Sequence, residues 1–188
     1  MNVNEVIKNR RSVRTYSTQP VSRENIEALL DSAVQAPSAM NNQPWAFVVI
    51  QDAALLKAYS DRAKAFLLSV IDQYPPLLKY QAALSNPGFN IFYNAGTLVI
   101  ICAKQTAGLN AEEDCCLAAQ NLMLSAWDKG LGSCWIGFAR ALLNQPAVKG
   151  ELKIPETYAV VAPIILGYPQ SELAAVAKNP PEIFSWKE

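Results

Sequence analysis

Five consecutive residues near the N-terminus, Arg10-Arg11-Ser12-Val13-Arg14, have the chemistry to hold an anion. A guanidinium is a planar fork that matches phosphate oxygens in pairs, and a serine hydroxyl adds a short donor. In an extended segment Arg10, Ser12 and Arg14 project to one side. The same residues also read as a solvated basic helix end, favoured by the helix dipole. A second candidate is Ala36-Pro37-Ser38-Ala39-Met40-Asn41-Asn42-Gln43-Pro44-Trp45. Its prolines bracket amide and hydroxyl groups that could meet a heteroaromatic edge from a rigid frame. A plain helix-to-strand connector uses the same turn formers. The third is Gly130-Leu131-Gly132-Ser133-Cys134-Trp135-Ile136-Gly137. Its glycines let backbone approach a flat ligand, or simply end a helix before a buried strand. It is not a dinucleotide fingerprint, because Trp135 stands where G-x-G-x-x-G requires glycine and the segment runs from helix to strand.

The chain contains no histidine. That excludes a Ser-His-Asp triad, a Cys-His pair and any zinc site with a histidine ligand. Cys102, Cys115, Cys116 and Cys134 form no C-x-x-C pair, so a metal centre is not expected. Chemistry carried out here would borrow its reactive atoms from a cofactor.

These segments need a frame, and 188 residues suffice for one domain with a substantial core. Hydrophobic residues make up 51% of the chain and charged residues 17%, a globular balance. Lys+Arg and Asp+Glu both number 16, so no global basic field invites nucleic acid. The longest apolar run, residues 96–103, is far short of a membrane span. The first residues lack the pattern of a secretion signal, which points to reduced thiols and a cytoplasmic location.

The spacing predicts helices over 3–10, from Ser22 to Pro37, from Asp52 to Pro75, from Asn110 to Gly130 and over 144–152, the first four capped by Asn2, Ser22, Asp52 and Asn110. Residues 77–84 read as a further turn or two of helix. Strands are predicted over 45–50, 97–103, 133–138 and 158–166. Irregular alternation of helices with few strands implies an α+β fold, a central sheet flanked by helices. Beyond Pro169 the core-forming pattern fades.

In this order and spacing, R-R-S-x-R at 10–14, A-P-S-x-x-N-x-Q-P-W at 36–45 and G-L-G-S-C-W-I-G at 130–137 resemble the FMN-dependent nitroreductase family. The A-x-Q-N-L core at 118–122 and Ile165-Leu166-Gly167-Tyr168-Pro169 match as well, so the resemblance runs from about residue 3 to 169. It implies a mostly antiparallel sheet and an intertwined homodimer with flavin sites at the interface. It assigns residues 1–169 to the FMN-binding domain and 170–188 to a tail packed on the partner subunit.

By the same resemblance Arg10 and Ser12 grip the FMN phosphate with Arg11 nearby, and Arg14 reaches the pyrimidine edge of the ring. Pro37, Ser38, Ala39 and Asn41 reach the flavin from the partner subunit. The backbone at Ile136 and Gly137 faces the flavin N5 side, with Trp135 shaping that wall. Lys178 stands in for a basic residue that meets the phosphate, although Asn179-Pro180-Pro181 departs from the usual basic run. The implied reaction passes hydride from NAD(P)H through tightly bound FMN to a small nitroaromatic or quinone acceptor, by a ping-pong route. No side chain is then an obligate acid or base; Arg14 assists electrostatically. Two alternatives stay open. One is a specialised relative that fragments reduced flavin, removes halogen or oxidises azolines, with residues 66–92 as the available lid. The other is a module that holds FMN without turnover.

Overall fold

Short polar side chains fix where the first helices begin. In the computed structural model, which describes residues 2–108, 110–171 and 173–188, helix α1 (Val3–Asn9) opens on a reciprocal box. Glu5 N–H donates to Asn2 Oδ1 at 3.0 Å and Asn2 N–H to Glu5 Oε2 at 3.1 Å. Ser22 and Asp52 likewise accept from Asn25 N–H and Leu55 N–H at the heads of α2 (Arg23–Ala33) and α3 (Ala53–Ser69).

Strands β1 (Trp45–Ile50), β2 (Thr97–Lys104), β3 (Gly132–Trp135) and β4 (Tyr158–Gly167) form one sheet in the order β1-β2-β4-β3. Each neighbouring pair is antiparallel, as the α+β expectation held. Side chains of β2 alternate between two cores. Val99, Ile101 and Ala103 join α2 and α5 (Ala111–Asp128), while Leu98, Ile100 and Cys102 join α3 and α6 (Gly137–Leu143). The stripe Cys115, Ala118, Ala119, Leu122, Met123 and Ala126 is the buried face of α5, as its spacing predicts. A bulge between Ile101 and Cys102 leaves Val161 as an extra residue in β4, so Val161 and Ala162 both face the α5 side.

Several element bounds differ from expectation; α2 ends at Ala33, ahead of Pro37, and α3 at Ser69, ahead of Pro75. The strand expected over 133–138 ends at Trp135, and Gly137 already opens α6. Trp135 lies opposite Ile164, and the next residue of β4 toward the turn is Pro163, which has no N–H to extend the ladder. Ile136 N–H still donates to Pro163 O at 2.8 Å as the chain leaves the sheet. The helix expected over 144–152 is α7 (Pro146–Glu151). Asn144 instead braces β4, accepting from Val160 N–H at 2.8 Å and donating to Val160 O at 2.9 Å. Asn110 precedes α5 without a side-chain capping bond. Residues 77–84 divide into a 3-10 stretch, Pro75–Tyr80, and α4 (Gln81–Ser85).

The segment after α1 is stitched to the far edge of the sheet. Ser12 forms a parallel bridge with Ser133, Val13 N–H donates to Ser133 O at 3.0 Å, and Tyr16 bridges Pro169. Val13 is fully buried against Gly132. A Cβ at position 132 would lie 2.5 Å from Val13 Cγ2 and 2.7 Å from its Cβ, so glycine is required by close approach. Gly132→Ala is therefore expected to lose roughly 1–3 kcal/mol through overpacking and to loosen residues 10–14. Thermal unfolding several degrees lower checks this, and an unchanged melting temperature would show that the arm moves freely.

Candidate active site

Residues 10–14 emerge from α1 as extended chain, so alternate side chains share a side. Arg10, Arg11, Ser12 and Arg14 line a cavity of about 310 Å³ closed by Leu173, Ala174, Val176 and Lys178 of the tail. Among the described residues its lining carries four basic side chains and no carboxylate, a field suited to a multiply charged anion. Lys178 thus sits with the arginines, as its assignment requires. Arg11 is partly committed to structure: its Nη1 donates to Lys8 O at 2.7 Å and Arg10 O at 3.0 Å, and its Nε to Ala174 O at 3.3 Å. It clasps the tail onto the end of α1.

A second cavity of about 440 Å³ begins at Arg14, which lines both. Its inner wall is Cys134, Trp135, Ile136 and Gly137, where β3 turns into α6. Its remaining walls come from Leu67, Leu77, Tyr80, Ile91, Tyr93 and Phe138. Tyr80 and Phe138 meet edge to face with centroids 5.1 Å apart. Sequence reasoning singled out Arg14, Trp135, Ile136 and Gly137 and did not single out the remaining walls. Four residues of the 66–92 stretch, Leu67, Leu77, Tyr80 and Ile91, are accordingly part of the cleft wall.

Pro37, Ser38, Ala39 and Asn41 line neither cavity. Their loop leads into β1, the opposite edge strand, three strand spacings (~14 Å) from β3. It is held from inside: Ala39 N–H donates to both carboxylate oxygens of the buried Asp114, at 3.1 and 3.2 Å, and Gln43 N–H to Ser38 Oγ at 3.0 Å. Met40, Asn41 and Gln43 have φ of 51°, 56° and 45°, a left-handed conformation unusual without glycine. Met40 is 92% exposed at its tip. The loop is thus strained, braced from inside and turned outward.

The thiols are not poised for chemistry. Burial pushes Cys134 up, opposed by Arg14, a hydrogen bond from Ser12 and Arg10. Burial also pushes Cys102 up to about 11 and Cys115 up to about 12. No group of three or more metal-ligating side chains converges among the described residues. No helix there is long and apolar enough to cross a membrane.

A cationic pocket and an aromatic cleft that share Arg14 are suited to the class of flat ligands that carry an anionic tail. Comparison with known proteins gives that class its family. The sequence pattern of the nitroreductase family matches residues 7–168. A protein of Archaeoglobus fulgidus, provisionally named NADH dehydrogenase/NAD(P)H nitroreductase, is 32% identical over 89% of this chain and 86% of its own. A Bacteroides fragilis nitroreductase solved with bound FMN superposes with a TM-score of 0.83 at 27% identity, covering 100% of this chain and 98% of that one. A Desulfitobacterium hafniense nitroreductase, also with bound FMN, gives 0.84 at 25% identity with all of both chains covered. The chain belongs to the nitroreductase family, a family of oxidoreductases.

The buried thiols instead contribute to the loss of stability at alkaline pH. An unfolded thiol ionises near pH ~8.5, whereas folded Cys102 does so only at about 11 and Cys115 at about 12. Between those values the unfolded chain has lost protons that the folded chain keeps, so stability falls as pH rises through this window. Below it, both states hold the protons. Replacing Cys102 and Cys115 together by Ala is expected to flatten the decline in denaturant midpoint above pH ~8.5, with activity retained. An equally steep decline would mean that these thiols do not titrate as described.

Proposed function

We propose that this chain is an NAD(P)H-dependent FMN oxidoreductase that reduces small nitroaromatic or quinone acceptors. The carrying observation is that Arg14 lines both the cationic pocket and the aromatic cleft. A ligand spanning them needs a phosphate at one end and a planar ring at the other, which are the two ends of FMN. Both cavities fall in the range of small-molecule sites. The FMN-bound relatives and the NAD(P)H in a relative's name agree with this reading.

Arg10, Ser12 and Lys178 hold the phosphate, and Arg11 keeps the tail closed over it. The Arg10 fork gives orientation, while Lys178 adds a point charge. Trp135, Ile136 and Gly137 form the wall at the N5 side of the ring. Gly137 opens α6, so its N–H belongs to a first turn whose amides have no partner within the helix. Arg14 sets a fixed cation beside the pyrimidine edge, where negative charge gathers on reduction; a water-poor cleft magnifies that attraction. FMN bound there supplies the hydride chemistry that this histidine-free chain lacks. On this reading NAD(P)H and acceptor occupy the same cleft in turn, which is the ping-pong order that the family resemblance implies.

The functional unit in this reading is a homodimer. Pro37, Ser38, Ala39 and Asn41 complete the partner's flavin site, since their own lies at the other sheet edge. Residues 1–169 form the FMN-binding domain. The tail, 170–188, carries exposed Ile183, Phe184 and Trp186, which pack on the partner. The four free thiols agree with a reducing cytoplasmic setting.

Purified protein is expected to be yellow, to release FMN on denaturation, and to give parallel double-reciprocal lines with NAD(P)H and menadione. Colourless protein that takes up no FMN would overturn the assignment; flavin binding without turnover would leave only a binding module. Arg14→Ala is expected to keep the fold, weaken FMN about tenfold or more and slow flavin reduction in stopped flow. Unchanged affinity and rate would remove Arg14 from the site.

A further inference from the structure

Two successive residues at the cleft, Tyr93 and Asn94, have φ of 52° and 54°. For a bulky aromatic residue the left-handed region is costly, and it persists only where the surroundings over-determine it. They do so here. Tyr93 N–H donates to Asn90 O at 2.9 Å, and Ala95 N–H to Phe92 O at 3.0 Å. Asn90 Nδ2 reaches Asn94 Oδ1 at 3.0 Å. From α3, Ser60 Oγ accepts from Ile91 N–H at 3.0 Å, and the buried Lys64 donates to Phe89 O at 2.7 Å and Asn86 O at 3.1 Å. Ile91 and Phe92 are fully packed beneath. These contacts fix the turn from which the Tyr93 ring projects.

The ring lies against Arg14. The Arg14 guanidinium carbon is 5.8 Å from the Tyr93 centroid, within cation–π range, and Phe89 abuts the ring edge to face at 5.8 Å. Arg14 has little else to hold it: its one side-chain hydrogen bond, to Ser12 O, is long at 3.4 Å. Among the described residues no carboxylate pairs with it. A long side chain so lightly tethered would otherwise sample many rotamers.

We infer that Tyr93 is a positioning residue: the α3-anchored turn presses its ring face on Arg14 and so holds the cation at the junction of the phosphate pocket and the ring cleft. The inference rests on the FMN reading and adds the cause of Arg14's placement. It uses the π face of Tyr93, not its hydroxyl. It also explains why a strained aromatic stands where Asn or Gly would fit the backbone better.

The test compares Tyr93→Phe, Tyr93→Gly and Tyr93→Asn, each alone and with Arg14→Ala, as FMN-loaded proteins. Gly and Asn both suit a positive φ, so those variants are expected to unfold no earlier than wild type. FMN release on dilution, followed by fluorescence, reports affinity; equilibration with reference dyes reports the potential of the bound flavin. Tyr93→Gly and Tyr93→Asn are expected to weaken FMN about three- to thirtyfold and to make its potential more negative. Tyr93→Phe is expected to match wild type, and in the Arg14→Ala background none of the three should matter further. Wild-type protein without FMN defeats the FMN reading itself. Wild type that binds FMN alongside Tyr93→Gly and Tyr93→Asn variants of equal affinity and potential defeats this inference alone. So does a Tyr93→Phe variant as impaired as the glycine one, or a loss that adds to that of Arg14→Ala.

Discussion

The candidate site depends on one close approach: Val13 packed onto the bare backbone of Gly132. That contact lets Ser12 pair with Ser133 and carries Arg10, Ser12 and Arg14 along the open side of β3. Because β3 is an edge strand, it has a free side to receive the arm. Because it ends three residues later, the same strand delivers Trp135, Ile136 and Gly137 to the adjoining cleft. Two segments more than 110 residues apart in sequence thus become one surface, and the residue that joins them bears no functional group.

The electrostatics follow from what the chain lacks as much as from what it has. With no histidine and with thiols kept neutral by burial, the cleft has no group near its working pH that exchanges protons readily. What remains is permanent charge. Arginine stays protonated across the physiological range, so its field is a constant rather than a switch. A protein that binds and polarises a cofactor needs such constancy, and the net charge of zero means that this field is local.

Much of this was readable in the sequence, for reasons specific to each element. Asn2, Ser22 and Asp52 act within three residues of themselves, so their caps were legible. The α5 stripe and the β-branched runs of β1, β2 and β4 carry their periodicity openly. The end of β3 was not legible, because it is decided by Pro163 on a different strand. Asn110 had the right chemistry for a cap, yet no capping bond forms. In the site, the arginine cluster, the 135–137 backbone and Lys178 were marked by residue type. Leu67, Leu77, Tyr80, Ile91, Tyr93 and Phe138 were not, since an apolar side chain in a cleft wall looks the same as one in a core.

The positive-φ residues add a pattern that no residue type announces. Five of the six non-glycine cases fall in just two places, the loop at 40–43 and the turn at 93–94. The first lies at the β1 edge, the second at the cleft beside β3. Each is secured from within by a buried polar group, Asp114 for one, and Ser60 with Lys64 for the other. Such strain reduces stability and is kept where a surface must hold one shape. In the proposed dimer the two places meet: the strained loop of one protomer reaches the cleft of the other. On that proposal, half-sites at opposite edges of one chain are completed only by pairing, and each protomer's strained loop serves its partner's ligand. Pairing would also cover the β1 edge of the sheet, since the β3 edge is already taken by residues 12–13.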